Sequence, residues 1–424
     1  MALLTAKTRY GDVSGVRCGH VGYSVFKGVP YAAPPVGELR WKAPANPAPW
    51  DGTKVCDKFS SIAVQNKARP GEFYTKEFFP IQEPMSEDCL YLNIWTPAED
   101  TTAALPVMVW IHGGAYLQGY GHEMEFDGEA FCKRGVILVT INYRLGPMGY
   151  FAHPELTAAS ENGASGNYGV LDQIHALKWV RENIEAFGGN ADNITVFGQS
   201  AGGGSVLSIC ASPLAKGLFH KAIIQSAAGV GTLGGEYTLA DAEKYGAFIV
   251  ENAGLSFSDF RNLPAEEILE KSMVAMMAYG GGFALRLRPC TDGYVLPQDP
   301  GTVIGNKEHA PVPYMAGVVS GDSKLFGEQE IDWLRIKHGD NPLYVYYFDH
   351  EVPGDDNAGA FHSSELWYIF GTLQRCWRPM SGRDYDLSQA MTDYWTNFAK
   401  AGNPGNPAWA SHSSDNPYIH ELRG

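Results

Sequence analysis

Short, almost uninterrupted apolar segments alternate along the chain with amphipathic ones. Between the second and third apolar segments lies GVLDQIHALKWVRENIEAFGG (169–189), in which apolar residues recur every three or four positions. This spacing predicts a helix that Gly188 and Gly189 terminate. The apolar segments predict strands covered on both faces: LPVMVWIHGG (105–114), GVILVTINY (135–143), NITVFGQS (193–200), KAIIQSA (221–227), VPYMAGVVS (312–320) and LYVYYFDH (343–350).

A succession of strand, helix and strand favours a parallel sheet with right-handed crossovers. The N-terminal segments YGDVSGV (10–16) and VGYSVFKGVPYA (21–32) predict short antiparallel strands at one edge of that sheet. We therefore expect an α/β fold with a mixed, mostly parallel central sheet and helices on both faces. No internal repeat or low-complexity linker interrupts the sequence, so residues 1–424 are predicted to form one domain.

Charge and composition exclude several classes of partner. Lysine and arginine number 32 against 47 acidic residues, a net charge of −15 that opposes binding to nucleic acid and anionic membranes. No segment approaches the roughly 18 apolar residues of a membrane helix, and the first residues lack the apolar core of a signal peptide. The seven cysteines form no Cys-x-x-Cys pair, so reduced thiols in a cytoplasmic protein are expected.

A candidate nucleophile lies where a strand gives way to a helix rich in small residues. The segment NITVFGQSAGGGSVLSIC (193–210) contains Gly198-Gln199-Ser200-Ala201-Gly202 at that junction. A serine exposed on so sharp a turn needs very small flanking residues, and the helix N-terminus favours negative charge beside it. The alternative is a packing serine in a glycine-rich junction. The context favours a catalytic Ser200.

Such a serine requires hydrogen-bond donors for the oxyanion that forms on attack. Gly113 and Gly114, at the end of the strand 105–114, offer unshielded N–H groups, and the N–H of Ala201 would be the third donor. His112 precedes these glycines and is a possible base. Its place at the mouth of the strand favours a structural hydrogen bond instead.

The general base should follow the acid in the chain, because this architecture has the order serine, acid, histidine. Of the histidines in the C-terminal part, His362 is favoured because it lies in a loop beyond the last predicted strand, at the same sheet edge as Ser200. The other candidates are His338, His350, His412 and His420. The acidic segment VVSGDSKLFGEQEIDWLRIKHG (318–339) leaves the acid open among several carboxylates.

Together these motifs resemble the type-B carboxylesterases of the α/β-hydrolase fold, the group that includes cholinesterases and bacterial para-nitrobenzyl esterases. The resemblance rests on FGGNADNITVFGQSAG (187–202), EDCLYLNIW (87–95), GAFHSSELWYIF (359–370) and YWTNFAKAGNPG (394–405), and it extends over almost the whole chain. It implies a serine esterase with Ser200 as nucleophile, His362 as base and Gly113, Gly114 and Ala201 as oxyanion hole. Aligning GVVSGDSKLF (317–326) with the family turn puts the acid on Asp322, with Glu328 or Glu330 as alternatives.

The resemblance also implies an acyl-enzyme mechanism on a small-molecule ester, without a metal or organic cofactor. Gln199 replaces the glutamate that commonly precedes the serine, and Phe79 is the nearest counterpart of the cholinesterase tryptophan, so a choline-ester role is doubtful. The family's loop disulfide is expected to be absent, because Ala63 stands where the partner of Cys89 would be. A helical segment of the relatives is missing or not shown near 326–331.

Two other readings remain open. Gly229-x-Gly231-x-x-Gly234, with Glu251 further on, matches a dinucleotide-binding pattern, although no helix opens directly on it. A non-catalytic binding protein on the same fold is the stronger alternative. The sequence identifies neither the ester nor the oligomeric state, monomer or homo-oligomer. Aromatic residues that would line a pocket or pack in the core are Tyr74, Phe78, Phe79, Tyr116, Phe126 and Phe283.

Overall fold

Strands and helices alternate along most of the chain in the computed structural model, which describes residues 2–18, 22–69, 71–79, 83–227, 236–280, 285–322, 341–413 and 415–424. The strands in these residues are β1 (Thr5–Thr8), β2 (Gly11–Ser14), β3 (Val16–Cys18), β4 (Tyr23–Pro30), β5 (Thr53–Val55), β6 (Tyr91–Thr96), β7 (Leu105–Ile111), β8 (Ile137–Ile141), β9 (Gly189–Gln199), β10 (Lys221–Gln225), β11 (Tyr314–Val319), β12 (Leu343–Phe348) and β13 (His420–Leu422). The helices there are α1 (Phe73–Phe78), α2 (Glu129–Cys132), α3 (Gly146–Tyr150), α4 (Pro154–Ala159), α5 (Tyr168–Asn183), α6 (Ala201–Ala211), α7 (Leu239–Asn252), α8 (Phe257–Arg261), α9 (Ala265–Ala278), α10 (Pro300–Gly305), α11 (Leu366–Ile369) and α12 (Gly382–Ala401).

Ten of the described strands form one sheet in the order β13-β12-β11-β10-β9-β7-β8-β6-β4-β3. Every pair from β13 to β8 is parallel, whereas β8, β6, β4 and β3 pair antiparallel. The six predicted strands are confirmed as β7 to β12, and the predicted helix is confirmed as α5, followed by a 3-10 turn at Ile184–Phe187. The expected mixed, mostly parallel sheet with an antiparallel N-terminal edge is therefore present.

The prediction for the segment 10–16 is correct only in part. Its end is continued by β3, which pairs antiparallel with β4 at the sheet edge as expected. Its first half is β2, which belongs to a separate three-stranded sheet with β1 and β5. The chain changes sheets at Gly15, where a β-carbon would lie 2.6 Å from the Val25 carbonyl oxygen. Only a glycine allows the two backbones to approach so closely.

The core lies on both faces of the central sheet. Side chains alternate along β7: Val107 and Val109 pack in the cluster that includes the apolar face of α5, and Met108 and Trp110 in the cluster that includes α12. Both faces are thus covered by helices, as the continuous apolar composition of the strands predicted. The carboxyl ends of the parallel strands share one edge, where active-site groups collect in such sheets.

A buried ion pair joins the chain after β8 to α5. The Arg144 guanidinium donates from Nε and Nη2 to the two oxygens of Asp172, at 2.8 and 2.7 Å, and the Arg144 backbone N–H also donates to Asp172. Both side chains are almost fully buried. The pair fixes the start of the segment that leads into α3. At the beginning of α3 the Gly146 N–H donates to the carbonyl of Tyr116, which closely follows the predicted oxyanion donors Gly113 and Gly114.

Removing the charge of Asp172 should destabilise the fold strongly. Asp172→Asn leaves the Arg144 guanidinium buried and uncompensated, so we expect the free energy of unfolding to fall by about 3–5 kcal/mol. Urea denaturation measures this loss. The matched control is Asp192→Asn in the exposed pair Arg181–Asp192, which should cost about 1 kcal/mol or less. Equal losses in both variants would contradict the prediction.

Candidate active site

Ser200 lies on the turn between β9 and α6 in a backbone conformation that non-glycine residues rarely adopt. Its φ is 56° and its ψ is −126°, and its N–H donates to the Gln225 carbonyl of β10 at 2.9 Å. Such a residue stores roughly 1–3 kcal/mol of strain and persists where the surroundings hold it. The strained strand-to-helix turn that the sequence pattern predicted is therefore present at Ser200.

The flanking glycines are required by close packing. A β-carbon on Gly202 would collide with the Ile111 carbonyl oxygen at the end of β7, and one on Gly198 would lie 2.6 Å from the Gly202 backbone. The glycines of the Gly-x-Ser-x-Gly motif are therefore required because β9, α6 and β7 approach one another too closely for a β-carbon.

The predicted oxyanion donors lie beside the serine. A β-carbon on Gly113 would be 3.1 Å from the Ser200 β-carbon, so the chain after β7 passes directly against the serine. The following residues have positive φ values: 101° at Gly114, 56° at Ala115 and 60° at Tyr116. Ala201 is the first residue of α6, where N–H groups have no carbonyl partner within the helix.

Asp322 and His362 are in direct contact. Asp322 ends a 3-10 turn, Ser320–Asp322, directly after β11, and His362 lies in the loop between β12 and α11. The His362 Nδ1 is 2.6 Å from Asp322 Oδ1, and Asp322 Oδ2 accepts the Val319 N–H at 3.1 Å. Because the buried carboxylate accepts a hydrogen bond from Nδ1–H, the neutral ring carries its lone pair on Nε2.

The second ring nitrogen of His362 faces the Ser200 turn. The Gln199 side-chain amide, next to Ser200 in the chain, lies with its Nε2 3.3 Å from His362 Nε2. Asp322, His362 and the Ser200 turn are thus brought together at the carboxyl ends of β11, β12 and β9. The alternative acids Glu328 and Glu330, and the alternative base His338, lie outside the described residues.

The other histidine candidates are engaged elsewhere. His350 pairs through Nε2 with Asp384 of α12 at 2.7 Å and accepts the Gly424 N–H on Nδ1. His412 Nδ1 is 3.0 Å from the Tyr418 carbonyl oxygen, and the His420 ring stacks on Trp409. These contacts tie the C-terminal segment to the sheet rather than to the Ser200 turn.

His112 has the contacts of a structural residue, as the sequence favoured. It is buried, stacks on Tyr143, and its Nδ1 lies 2.9 Å from the Gly113 carbonyl oxygen. Burial lowers the pKa of the His112 imidazole to about 4, so the neutral ring donates Nδ1–H to Gly113. Because the peptide is planar and trans, fixing the Gly113 carbonyl directs the Gly114 N–H to the opposite side.

Sequence reasoning missed a buried carboxyl group beside the Asp322–His362 pair. Glu365, three residues after His362, is fully buried. Desolvation by burial, with the nearby Asp322 charge adding to it, raises the pKa of Glu365 to about 8. The carboxyl group is therefore neutral at pH 7. The only sequence signal was its spacing from His362, and that spacing alone did not indicate burial.

Sequence reasoning also missed a network that ties α1 to the loop carrying His362. The buried Arg378 guanidinium donates to Glu77 of α1 and to Asp356 and the Pro353 carbonyl of that loop. The Tyr74 hydroxyl of α1 donates to the His362 carbonyl at 3.3 Å. The contacts with α1 join residues 301 and 288 positions apart in the chain, so no local sequence pattern indicates them.

The aromatic residues considered for a substrate pocket divide into two groups. Phe78, Tyr116 and Phe126 are buried in the core clusters. Tyr74 is 38% exposed and Phe79 is half-buried, both at the side of the site where α1 lies. Phe283 lies outside the described residues, as does the glycine pattern Gly229-x-Gly231-x-x-Gly234.

A mixed sheet with a serine on a strained strand-to-helix turn, and an acid and a histidine after two later strands, is the architecture of the α/β-hydrolase fold. Solved structures share this fold over nearly the full chain. A PNB esterase superposes with a TM-score of 0.86 at 30% identity, covering 99% of this chain and 95% of that one. A carboxylesterase of Geobacillus stearothermophilus gives a TM-score of 0.80 at 30% identity, covering 99% and 96%.

The chain belongs to the Carboxylesterase family, which matches residues 3–338 and 329–423. The para-nitrobenzyl esterase of Bacillus subtilis is 34% identical over 466 aligned positions, which cover 96% of this chain and 92% of the relative. The fumonisin B1 esterase of Sphingopyxis macrogoltabida is 33% identical, covering 95% and 82%. The protein is therefore an enzyme that hydrolyses esters, and its substrates are small-molecule esters.

The alignment to the Bacillus esterase has more positions than the chain has residues, so that relative has residues without a counterpart here. The segment near 326–331, where a helical insertion was predicted to be missing or not shown, lies outside the described residues. Among the helices that are described, none has both the length and the apolar character needed to cross a membrane.

The buried Glu365 carboxyl predicts a specific pH dependence of stability. The folded protein keeps this proton up to about pH 8, whereas the unfolded chain releases it near the ordinary value of 4.5. The unfolded state binds fewer protons between these values, so the free energy of unfolding decreases as pH rises through them, by about 1.4 kcal/mol per pH unit.

Glu365→Gln should remove this contribution. We expect the variant to lose less stability than the wild type between pH 4.5 and 8, measured by urea denaturation at several pH values across that window. Parallel stability curves for the two proteins would show that Glu365 is ionised in the fold and would contradict the prediction.

Proposed function

We propose that the enzyme cleaves carboxylic esters through a catalytic triad of Ser200, His362 and Asp322, with Gly113, Gly114 and Ala201 as the oxyanion hole. The observation that carries this proposal is the 2.6 Å contact between His362 Nδ1 and the buried Asp322 carboxylate, beside the strained turn that presents Ser200. The matching order serine, acid, histidine along the chain supports it further.

In the first step His362 Nε2 takes the hydroxyl proton of Ser200 while Ser200 Oγ attacks the ester carbonyl carbon. Asp322 holds the ring in the tautomer with a free Nε2 and stabilises the imidazolium that forms. The carbonyl oxygen becomes an oxyanion that accepts the N–H groups of Gly113, Gly114 and Ala201. The proton then passes from His362 to the leaving alcohol, and an acyl-enzyme remains on Ser200.

Water completes the cycle with the same groups. His362 removes a proton from the water molecule that attacks the acyl carbonyl, and the same N–H groups stabilise the second oxyanion. Return of the proton to Ser200 Oγ releases the carboxylic acid. Each step uses only side chains and backbone N–H groups of this chain.

The surroundings of the site argue against a cationic ester. Gln199 contributes no negative charge beside Ser200, and Phe79 is no tryptophan, which argues against a quaternary ammonium substrate. Two relatives are named for para-nitrobenzyl and fumonisin B1 esters. All seven cysteines are free thiols, which supports a reducing compartment such as the cytoplasm.

Replacing the proposed catalytic groups should abolish turnover of p-nitrophenyl acetate without unfolding the protein. We expect Ser200→Ala and Asp322→Asn each to lower kcat by about 10⁴-fold or more. Ser208→Ala is the matched control, because Ser208 lies on α6, the helix that follows Ser200, and its hydroxyl donates to the Gly204 carbonyl. Its kcat should stay at the wild-type value.

The outcomes separate the alternatives. Full activity in Asp322→Asn alone would move the acid to Glu328 or Glu330, and wild-type activity in Ser200→Ala would overturn the mechanism. A radiolabelled organophosphate should modify the wild type once per chain, on the peptide that contains Ser200. A protein that binds esters but neither turns them over nor takes the label would instead be a non-catalytic binding protein.

A further inference from the structure

The segment that supplies two of the proposed oxyanion donors is strained and must be held from outside. Gly114, Ala115 and Tyr116 follow one another with positive φ values. For the two non-glycine residues this conformation costs roughly 1–3 kcal/mol each. The Gly114 carbonyl accepts the N–H groups of Leu117 and Gln118. These local bonds close the turn but do not fix its position against Ser200.

Gln65 makes a reciprocal pair of hydrogen bonds with the far end of this segment. The Gly119 N–H donates to Gln65 Oε1 at 2.8 Å, and Gln65 Nε2 donates to the Gly119 carbonyl at 3.0 Å. Nε2 also donates to the Ala63 carbonyl at 3.1 Å. The side chain is buried, so water does not compete. A primary amide can donate and accept in this arrangement, whereas a carboxylate can only accept.

Gly119 in turn packs against the peptide that carries a proposed donor. A β-carbon on Gly119 would lie 2.7 Å from the Gly113 carbonyl oxygen and 2.6 Å from His112 Nδ1. The Gly113 carbonyl and the Gly114 N–H belong to one planar peptide, so anything that holds the carbonyl also aims the N–H. His112 holds it by a hydrogen bond, and Gly119 supports it by contact.

We propose that Gln65 is a positioning residue for the oxyanion hole, acting through Gly119 on the Gly113–Gly114 peptide. This inference rests on the proposed function. The hydrogen bonds of Gln65 are to Ala63 and Gly119 rather than to Ser200 or His362. We therefore expect Gln65 to affect the stability of the transition state rather than substrate binding. Loss of the two hydrogen bonds between Gln65 and Gly119 lets the strained segment relax and moves the Gly114 N–H away from the oxyanion.

Gln65→Glu is the decisive variant because it keeps the shape and replaces the donor with an oxygen facing two carbonyl oxygens. We expect kcat/KM for p-nitrophenyl acetate to fall by about 10- to 100-fold, with KM within about threefold of wild type. The inhibition constant of an aryl trifluoromethyl ketone, whose adduct places an oxyanion in the hole, should rise by the same factor. Gln65→Met, isosteric and uncharged, should act in the same direction and serves if the glutamate variant does not fold.

The chain offers a matched control in Asn167. Its amide makes the same reciprocal pair with the Cys290 backbone, accepting the N–H at 3.0 Å and donating to the carbonyl at 2.7 Å. Asn167 Nδ2 also donates to Asp292 Oδ2 at 2.8 Å, so Asn167→Asp should lower the melting temperature, but it should leave kcat/KM and ketone inhibition near wild type. Equal kinetic losses in the Asn167 and Gln65 variants would reduce Gln65 to a merely structural role and overturn the proposal.

Failure of this inference is distinguishable from failure of the proposed function. Suppose that Gln65→Glu and Gln65→Met bind the ketone as wild type does while Ser200→Ala is inactive. The proposed triad is then supported, and the positioning role of Gln65 is wrong. If Ser200→Ala retains activity, the oxyanion hole assigned around Ser200 is itself wrong, whatever Gln65 does.

Discussion

The close approach of three backbones at the end of β9 is the constraint on which the site depends. The Ser200 turn has its left-handed conformation because α6 must begin against the Ile111 carbonyl, with no space for a β-carbon on Gly202. The bond from the Ser200 N–H to the Gln225 carbonyl anchors the turn to β10 as well. Strain at Ser200 is therefore balanced by the packing of a ten-stranded sheet, and the groups around the turn are arranged relative to that fixed point.

The acid and the histidine reach this point from strands that follow later in the chain. Parallel pairing of β9, β10, β11 and β12 brings their carboxyl ends to one edge, so a short turn after β11 suffices to carry Asp322 toward Ser200. The loop before His362 is long, and Arg378 compensates by joining it to α1 through Asp356 and Glu77. Removing one partner of a buried guanidinium is strongly destabilising, so the ion pairs of Arg378 hold the loop in a defined position.

Much of this arrangement could be predicted from local patterns. Continuous apolar runs identified β7 to β12, and Gly-x-Ser-x-Gly at a strand end identified the Ser200 turn, because both depend on neighbouring residues. Strand β6 was not predicted: its sequence was treated as a family signature, and its antiparallel partners β4 and β8 are distant in the chain. Gln65, Glu365 and Arg378 were missed for the same reason. Gln65 and Gly119 are 54 positions apart in the chain, and Arg378 and Glu77 are 301 positions apart. The periodicity of a sequence does not indicate such long-range contacts.

The amide at position 199 fits the charge balance of the site. Two carboxyl groups, Asp322 and Glu365, are already buried beside His362, and burial keeps Glu365 protonated near pH 7. A glutamate in place of Gln199 would add a third acid within reach of His362 Nε2 and would favour the protonated imidazole, which cannot act as a base. The Gln199 amide instead donates toward Nε2 of the neutral ring, in the tautomer that Asp322 selects through Nδ1. Both neighbours therefore stabilise the same resting form of His362, the one that the proposed mechanism requires to accept the Ser200 proton.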